Sequence, residues 1–148
     1  MKLYIVADAM LLWDKDGVMT VNRAFLRELS KYRVDYVICF APAHFGCWME
    51  DIEEAQEAWR YMANVLRFPS DCRVIVFKDG LDGDRLAADM KESGEVSGLW
   101  TENDADKAMC GRCGIRCFSD WESLESCGVR QFRLPQTVRS VLSAALQV

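Results

Sequence analysis

The chain has 148 residues, a formal net charge of −5 and 51% hydrophobic residues. This length fits one domain with a full core, and the composition excludes a disordered chain. The acidic balance disfavours bulk binding to nucleic acid, because like charges repel. No apolar run suits a signal peptide or a membrane span, and seven cysteines without an export signal indicate reduced thiols. We therefore expect a cytoplasmic protein with no membrane partner.

Short apolar runs alternate along the chain with amphipathic stretches of helical spacing. The first strand is predicted at 3–7, and a hairpin follows within 11–21, where Asp16-Gly17 is typical of a tight turn. Asn22 can cap the first helix. The later elements are predicted as helix 23–32, strand 35–40, helix 51–66, strand 73–77, helix 85–92, strand 98–100, helix 104–113, strand 115–118, helix 121–125 and a final helix at about 134–147.

This alternation predicts an α/β fold, a Rossmann-like three-layer sandwich with a mostly parallel five-stranded sheet and an N-terminal hairpin. A single domain is expected over 1–148, with its core in 2–120. Ligands of such sheets bind at the carboxyl ends of the strands. The candidate side chains at that edge are Asp8 after the first strand, Phe40, Ala41, His44 and Trp48 after the second, Lys78 after the third, and Glu102 and Asp106 after the fourth.

The positions of the acidic residues relative to the predicted strands resemble those in a known protein family. Asp8 follows the first strand, and the fourth strand is followed by Glu102, a helix with Asp106 in its first turn, and Gly114-Ile115 leading into the next strand. This layout resembles the haloacid dehalogenase-like (HAD) phosphatase superfamily. The chain's size and its segment 25–32 are also similar to the phosphatase domains of phage-type polynucleotide kinases. The resemblance covers about residues 2–120 and implies a HAD-like fold in which the hairpin is a flap.

The resemblance implies magnesium-dependent phosphate chemistry. In that family one Asp attacks phosphorus, and a second Asp two residues on acts as acid and base. Acids after the fourth strand hold Mg²⁺ with the nucleophile. Carried onto this sequence, Asp8 is the nucleophile and a metal ligand, and Glu102 with Asp106, or with Asp104 as the alternative, supplies the further metal ligands. Arg85, Lys91 or the earlier Lys78 would replace the family's lysine on the phosphoryl oxygens.

Several positions depart from the family pattern. Met10 stands where the acid/base Asp is expected, and it cannot carry a proton. The expected hydroxyl after the second strand falls on Phe40 or Ala41, and neither has one. These losses predict little hydrolytic activity, because one missing acid/base alone costs on the order of 10²–10⁴-fold in rate.

A second register of the first motif is also present, in the stretch 14–20. There Asp14 would be the nucleophile and Asp16 the acid/base. This register leaves too few residues before the second strand for a hairpin and a crossover helix. We therefore favour Asp8, which places Asp14 at the turn of the hairpin.

The loop after the second strand and the cysteines offer other chemistry. His44, the only histidine, could act with Cys47 as a nucleophilic pair or contribute to recognition, with Trp48 stacking on a ligand. Cys110 and Cys113 form a CxxC at the end of a helix, which suits neither a tetrahedral zinc site nor a thioredoxin-type motif. Zinc is therefore not expected, and Mg²⁺ is expected only in an active enzyme.

Two functions remain open from the sequence. The first is a pseudo-phosphatase with an eroded catalytic set, which would bind a nucleotide, a phosphorylated small molecule or a protein partner. The alternative is an active Mg²⁺-dependent phosphatase acting on a nucleotide or a polynucleotide end. Met10 favours the first function, whereas Asp14 with Asp16 favours the second.

Overall fold

The computed structural model describes residues 1–68 and 72–132. The strands are β1 (Lys2–Val6), β2 (Leu11–Trp13), β3 (Met19–Val21), β4 (Asp35–Phe40), β5 (Arg73–Val76), β6 (Val96–Trp100) and β7 (Cys117–Phe118). The helices are α1 (Arg23–Leu29), α2 (Ile52–Leu66), α3 (Gly83–Glu92), α4 (Asp104–Cys113) and α5 (Trp121–Ser126). Two single turns of 3₁₀ helix lie at Ala7–Met10 and Pro42–Phe45.

Five strands form one sheet in the order β5-β4-β1-β6-β7, and each neighbouring pair is parallel. The chain first moves outward from β1 to β4 and β5, and then crosses to the other side of β1 to form β6 and β7. The predicted α/β fold with a mostly parallel five-stranded sheet is confirmed, and the arrangement is consistent with a Rossmann-like sandwich. The reversal of strand order lies between β1 and β6, where such sheets open a crevice.

Helices cover both faces of the sheet. Successive residues of a strand point to opposite faces, so each strand contributes side chains to two core clusters. Leu3 and Ile5 of β1 belong to a core cluster that also includes Leu29 of α1 and Met62 of α2. Tyr4 and Val6 of β1 point to the other face and belong to a second cluster with side chains from α3 and α4. Strands buried on both faces explain the continuous apolar runs in the sequence.

The predicted hairpin is present as a separate two-stranded sheet in which Leu11 pairs with Val21. Its turn is closed by Asp14, whose carboxylate accepts the backbone N–H groups of Asp16 and Val18, each at 2.8 Å. Gly17 adopts φ 78°, which is favourable for glycine. The local sequence therefore closes the turn, and Leu11 anchors the hairpin in the core cluster that packs on the main sheet.

Several elements begin or end at residues other than those predicted. Helix α3 begins at Gly83 rather than at 85, because the Asp82 side chain accepts the N–H groups of Asp84 and Arg85. Strand β7 has two residues, Cys117–Phe118, rather than the four predicted at 115–118. The final helix predicted at about 134–147 lies outside the described residues.

Within the two described ranges, every helix is too short or too polar to cross a membrane.

Candidate functional site

The carboxyl ends of three adjacent strands supply one cluster of polar side chains. Asp8 follows β1, His44 follows β4, and Thr101 and Asp106 follow β6. Since β1 lies between β4 and β6, these residues meet at the point where the strand order reverses. The cluster therefore occupies the position in the fold where a ligand crevice is expected.

His44 lies between two carboxylates. Its Nε2 is 2.9 Å from Asp106 Oδ2 and 3.1 Å from Asp106 Oδ1. Its Nδ1 is 3.2 Å from Asp8 Oδ1. The side chains of His44 and Asp106 are 5% and 7% exposed, whereas that of Asp8 is 28% exposed. The imidazole is thus enclosed, and Asp8 is the member of the cluster that reaches solvent.

The two contacts of the imidazole differ in quality. Nε2 makes a hydrogen bond to Asp106, but Nδ1 and Asp8 Oδ1 approach each other outside the angular range of a hydrogen bond. Among the described residues these two buried atoms lack a hydrogen-bonding partner. Their contact is therefore electrostatic.

Asp106 is fixed by the start of α4. Thr101 is fully buried, and its hydroxyl donates to Asp106 Oδ2 at 2.8 Å. The Thr101 oxygen in turn accepts the Asn103 N–H at 3.1 Å. The Asn103 side chain caps α4 by accepting the N–H groups of Ala105 and Asp106. These bonds hold the Asp106 carboxylate towards His44.

His44 is presented by the turn Pro42–Phe45. Pro42 starts this turn, where its fixed φ is suitable, and Gly46 ends it with φ 69°. The His44 N–H donates to Ala41 at 3.0 Å, and the Ala43 N–H donates to Asp79 at 2.9 Å. The turn is therefore tied to the end of β4 and to the loop after β5.

The surroundings of His44 favour its protonated form. Burial by itself would lower the pKa of the imidazole, because it penalises charge. The hydrogen bond to Asp106 and the proximity of Asp8 outweigh burial and raise the pKa to about 9. A cation between two acids is therefore the stable state of this cluster at neutral pH.

Two of the three residues expected to hold Mg²⁺, Asp8 and Asp106, lie on either side of His44. The imidazole of His44 fills the space between Asp8 and Asp106, and both oxygens of Asp106 already contact donors. Glu102 is exposed on the loop before α4. Over residues 1–68 and 72–132, no three or more His, Cys, Asp or Glu side chains are grouped as metal ligands.

The alternative catalytic pair lies elsewhere. Asp14 and Asp16 are exposed in the hairpin turn, and the strand before them, β2, pairs with β3 rather than within the main sheet. The structure thus places Asp8, and not Asp14, after the central strand. Met10, at the acid/base position for Asp8, is fully buried.

The residues predicted to bind the substrate or its phosphoryl group differ in exposure and in contacts. Phe40 and Ala41 are buried, and Trp48 is 82% exposed. Lys78 is exposed, and the Arg85 guanidinium donates to the Val76 carbonyl at 2.8 Å while it stacks on Phe77. The cluster around His44 gathers none of these basic groups.

The proposed pairing of His44 with Cys47 does not form. Both nitrogens of His44 face carboxylates, and the Cys47 thiol points to the Phe45 carbonyl at 3.6 Å. Sequence reasoning missed the bridging role of His44 and the orienting role of Thr101. The sequence does indicate that these residues are close, since the only histidine and two acids all follow strands that the alternation makes neighbours, but it does not give the direction of the His44 side chain.

No protein-family model, no curated protein and no solved structure matches this chain.

Proposed function

We propose that this chain is a HAD-like pseudo-phosphatase, a binding module that keeps the phosphatase layout without its chemistry. In this proposal the β2-β3 hairpin is the flap, and Asp8 takes the place of the family's nucleophile. The strand order, the hairpin directly after β1 and the acids after β6 support this interpretation.

The observation that carries the proposal is the position of His44. Its imidazole stands between Asp8 and Asp106, where the family would hold its metal ion. A protonated imidazole supplies positive charge there, so the two acids are partly compensated from within the chain. An internal cation of this kind stabilises the fold but leaves no open coordination position.

The other requirements for phosphate-ester hydrolysis are also unmet around Asp8. Met10 is apolar and buried, so it can neither protonate a leaving group nor activate water. The cluster holds two carboxyl groups against one imidazole, and this excess of acidic groups disfavours an approaching phosphate. A protein partner therefore fits this edge of the sheet better than a phosphorylated ligand, with exposed Trp48 available for contact.

The first experiment is a hydrolysis assay on the full chain with para-nitrophenyl phosphate and Mg²⁺. We expect no phosphate release above the blank. Release that is abolished both by a chelator and by Asp8→Asn would contradict the proposal and establish an active phosphatase.

A second measurement tests the role given to His44. In His44→Ala the two carboxylates lose their internal cation and face an opened space, so the variant should melt at a lower temperature and recover stability with added Mg²⁺. The wild-type melting temperature should not respond to Mg²⁺. The matched control is the double variant Asp8→Asn/His44→Ala, which removes one of the two carboxylates and should lose the response. A Mg²⁺ response in the wild type as large as in His44→Ala would count against the proposal.

A further inference from the structure

An apolar groove runs beside the His44 turn, between the hairpin and α2. It has a cavity volume of about 350 Å³. Its lining residues are Trp13, Met19, Phe40, Pro42, Phe45, Cys47, Met49, Ala58, Tyr61, Met62, Val65 and Leu66. Nearly all of them are apolar or aromatic, so water is a poor occupant of this groove.

The wall formed by α2 has the pattern of a helix-packing surface. Five of its residues recur at helical spacing and face the groove: Ala58, Tyr61, Met62, Val65 and Leu66. Tyr61 is 75% exposed and Val65 is 58% exposed, although a helix in this layer normally buries such positions. A contiguous exposed apolar surface of this kind indicates a partner.

The end of the described chain leads into the same layer. Val129 belongs to the same core cluster as Met62. The Phe132 N–H donates to the Lys31 carbonyl at 2.8 Å, next to the end of α1. The sixteen residues that follow would span about 24 Å even at the helical rise of 1.5 Å per residue, which is longer than the roughly 12 Å from Ala58 to Leu66 along α2.

The sequence of residues 133–148, which lie outside the described residues, complements the groove. Its apolar residues recur at helical spacing: Leu134, Val138, Val141, Leu142 and Ala145. Its polar residues Gln136, Ser140, Ser143 and Gln147 share the opposite spacing. Only Arg133 and Arg139 are charged, so burial of the apolar positions requires no buried charge.

We propose that residues 133–148 of the same chain dock in the apolar groove, with their apolar positions against Tyr61 and Val65 of α2. The docked segment would close the layer that α1, α2 and α5 leave open beside the hairpin. This inference does not depend on the proposed function, because it uses neither His44 nor the two acids that contact it.

Hydroxyl-radical footprinting of the full chain tests the docking, with side-chain modification measured by mass spectrometry. Tyr61 should be modified several-fold more slowly in the wild type than in Leu142→Asp, which places a charge on the apolar stripe. The matched control is Ser143→Asp, the adjacent position on the polar spacing, which should keep Tyr61 protected. Trp48, outside the groove, provides the internal reference.

A second variant keeps the test decisive if Leu142→Asp does not fold. Val65→Arg changes an exposed position on α2 and should also release Tyr61. Equal modification of Tyr61 in the wild type, Leu142→Asp and Val65→Arg would overturn the proposal. Protection that grows with protein concentration and survives Leu142→Asp would overturn it in favour of a second copy of the chain.

Discussion

His44 is held unequally by its two acidic neighbours. Asp106 is buried and oriented by Thr101, whereas Asp8 is partly exposed and meets Nδ1 outside hydrogen-bond geometry. Asp106 is therefore the fixed partner, and Asp8 is the adjustable one. A ligand or protein partner that moved Asp8 would change the electrostatics of the whole cluster without disturbing α4.

Replacing Thr101 tests how much its hydrogen bonds around Asp106 contribute to the free energy of unfolding. Thr101→Val keeps the shape of the side chain but removes the donor to Asp106 and the acceptor for the Asn103 N–H. Because buried polar groups lose their partners, we expect the free energy of unfolding to fall by about 1–3 kcal/mol. Urea denaturation measures this change.

The control is Thr20→Val, at an exposed position of β3. It should change the free energy of unfolding by less than about 0.5 kcal/mol. Comparable losses in both variants would mean that the Thr101 hydroxyl does not stabilise the cluster.

Part of the cluster was predictable from the sequence. Asp8 and Asp106 follow strands that the alternation places in one parallel sheet, so their side chains were expected at one edge. The insertion of His44 between them was not predictable, because a single 3₁₀ turn has no periodicity from which to infer side-chain direction. The role of Thr101 as a donor to Asp106 was missed for a different reason: a hydroxyl at the end of a strand is common and carries no signal by itself.

At the scale of elements, the strand predicted from the sequence pattern differs from the observed geometry at β6. Lys2 of β1 pairs with Val96, but Leu3 pairs with Gly98, so one residue of β6 is extra. Gly98 has φ 151°, and a Cβ atom there would lie 2.4 Å from the Arg116 carbonyl oxygen. This strand was predicted at 98–100 rather than at Val96–Trp100, and a glycine inside a strand often marks a bulge of this kind.

Gly98→Ala should therefore destabilise the protein more than a methyl group ordinarily would. Both the backbone conformation and the approach of Arg116 resist a side chain, and strained backbone alone costs about 1–3 kcal/mol. We expect a loss of at least about 2 kcal/mol in the free energy of unfolding, measured in urea.

Gly111→Ala is the matched comparison. Gly111 lies inside α4 and is exposed, and a Cβ atom there meets nothing within 4 Å among the described residues. Alanine should stabilise the helix by up to about 1 kcal/mol. Changes of the same sign and size at both glycines would refute the geometric account of β6.

For the whole molecule, the α/β fold class could be predicted from the sequence, because short apolar runs alternate regularly with amphipathic stretches. Residues 37–40, for example, are apolar and buried on both faces of the sheet, which fits a covered parallel strand. Element ends were less accurate, because caps such as Asp82 and the short β7 depend on local contacts. The family assignment rests on motif layout alone and stays a proposal.

The stability of the whole molecule should depend on pH through His44. Its pKa is raised to about 9 in the folded chain from an ordinary value of 6.5. Below pH 6.5 the folded and unfolded chains both hold the proton, so the stabilisation is complete; between 6.5 and 9 only the folded chain keeps it, and the contribution declines. From pH 6.5 to 8 this loss amounts to about 2 kcal/mol.

Because His44 is the only histidine, its contribution can be isolated. Urea denaturation at pH 6, 7 and 8 should show the free energy of unfolding falling in the wild type and nearly constant in His44→Gln, which cannot be protonated. Cysteines of the unfolded chain ionise mainly above about pH 8.5, so they contribute little in this window. Parallel pH dependences in the two proteins would mean that His44 gains no proton affinity on folding, and the internal cation would then not explain how Asp8 and Asp106 are compensated.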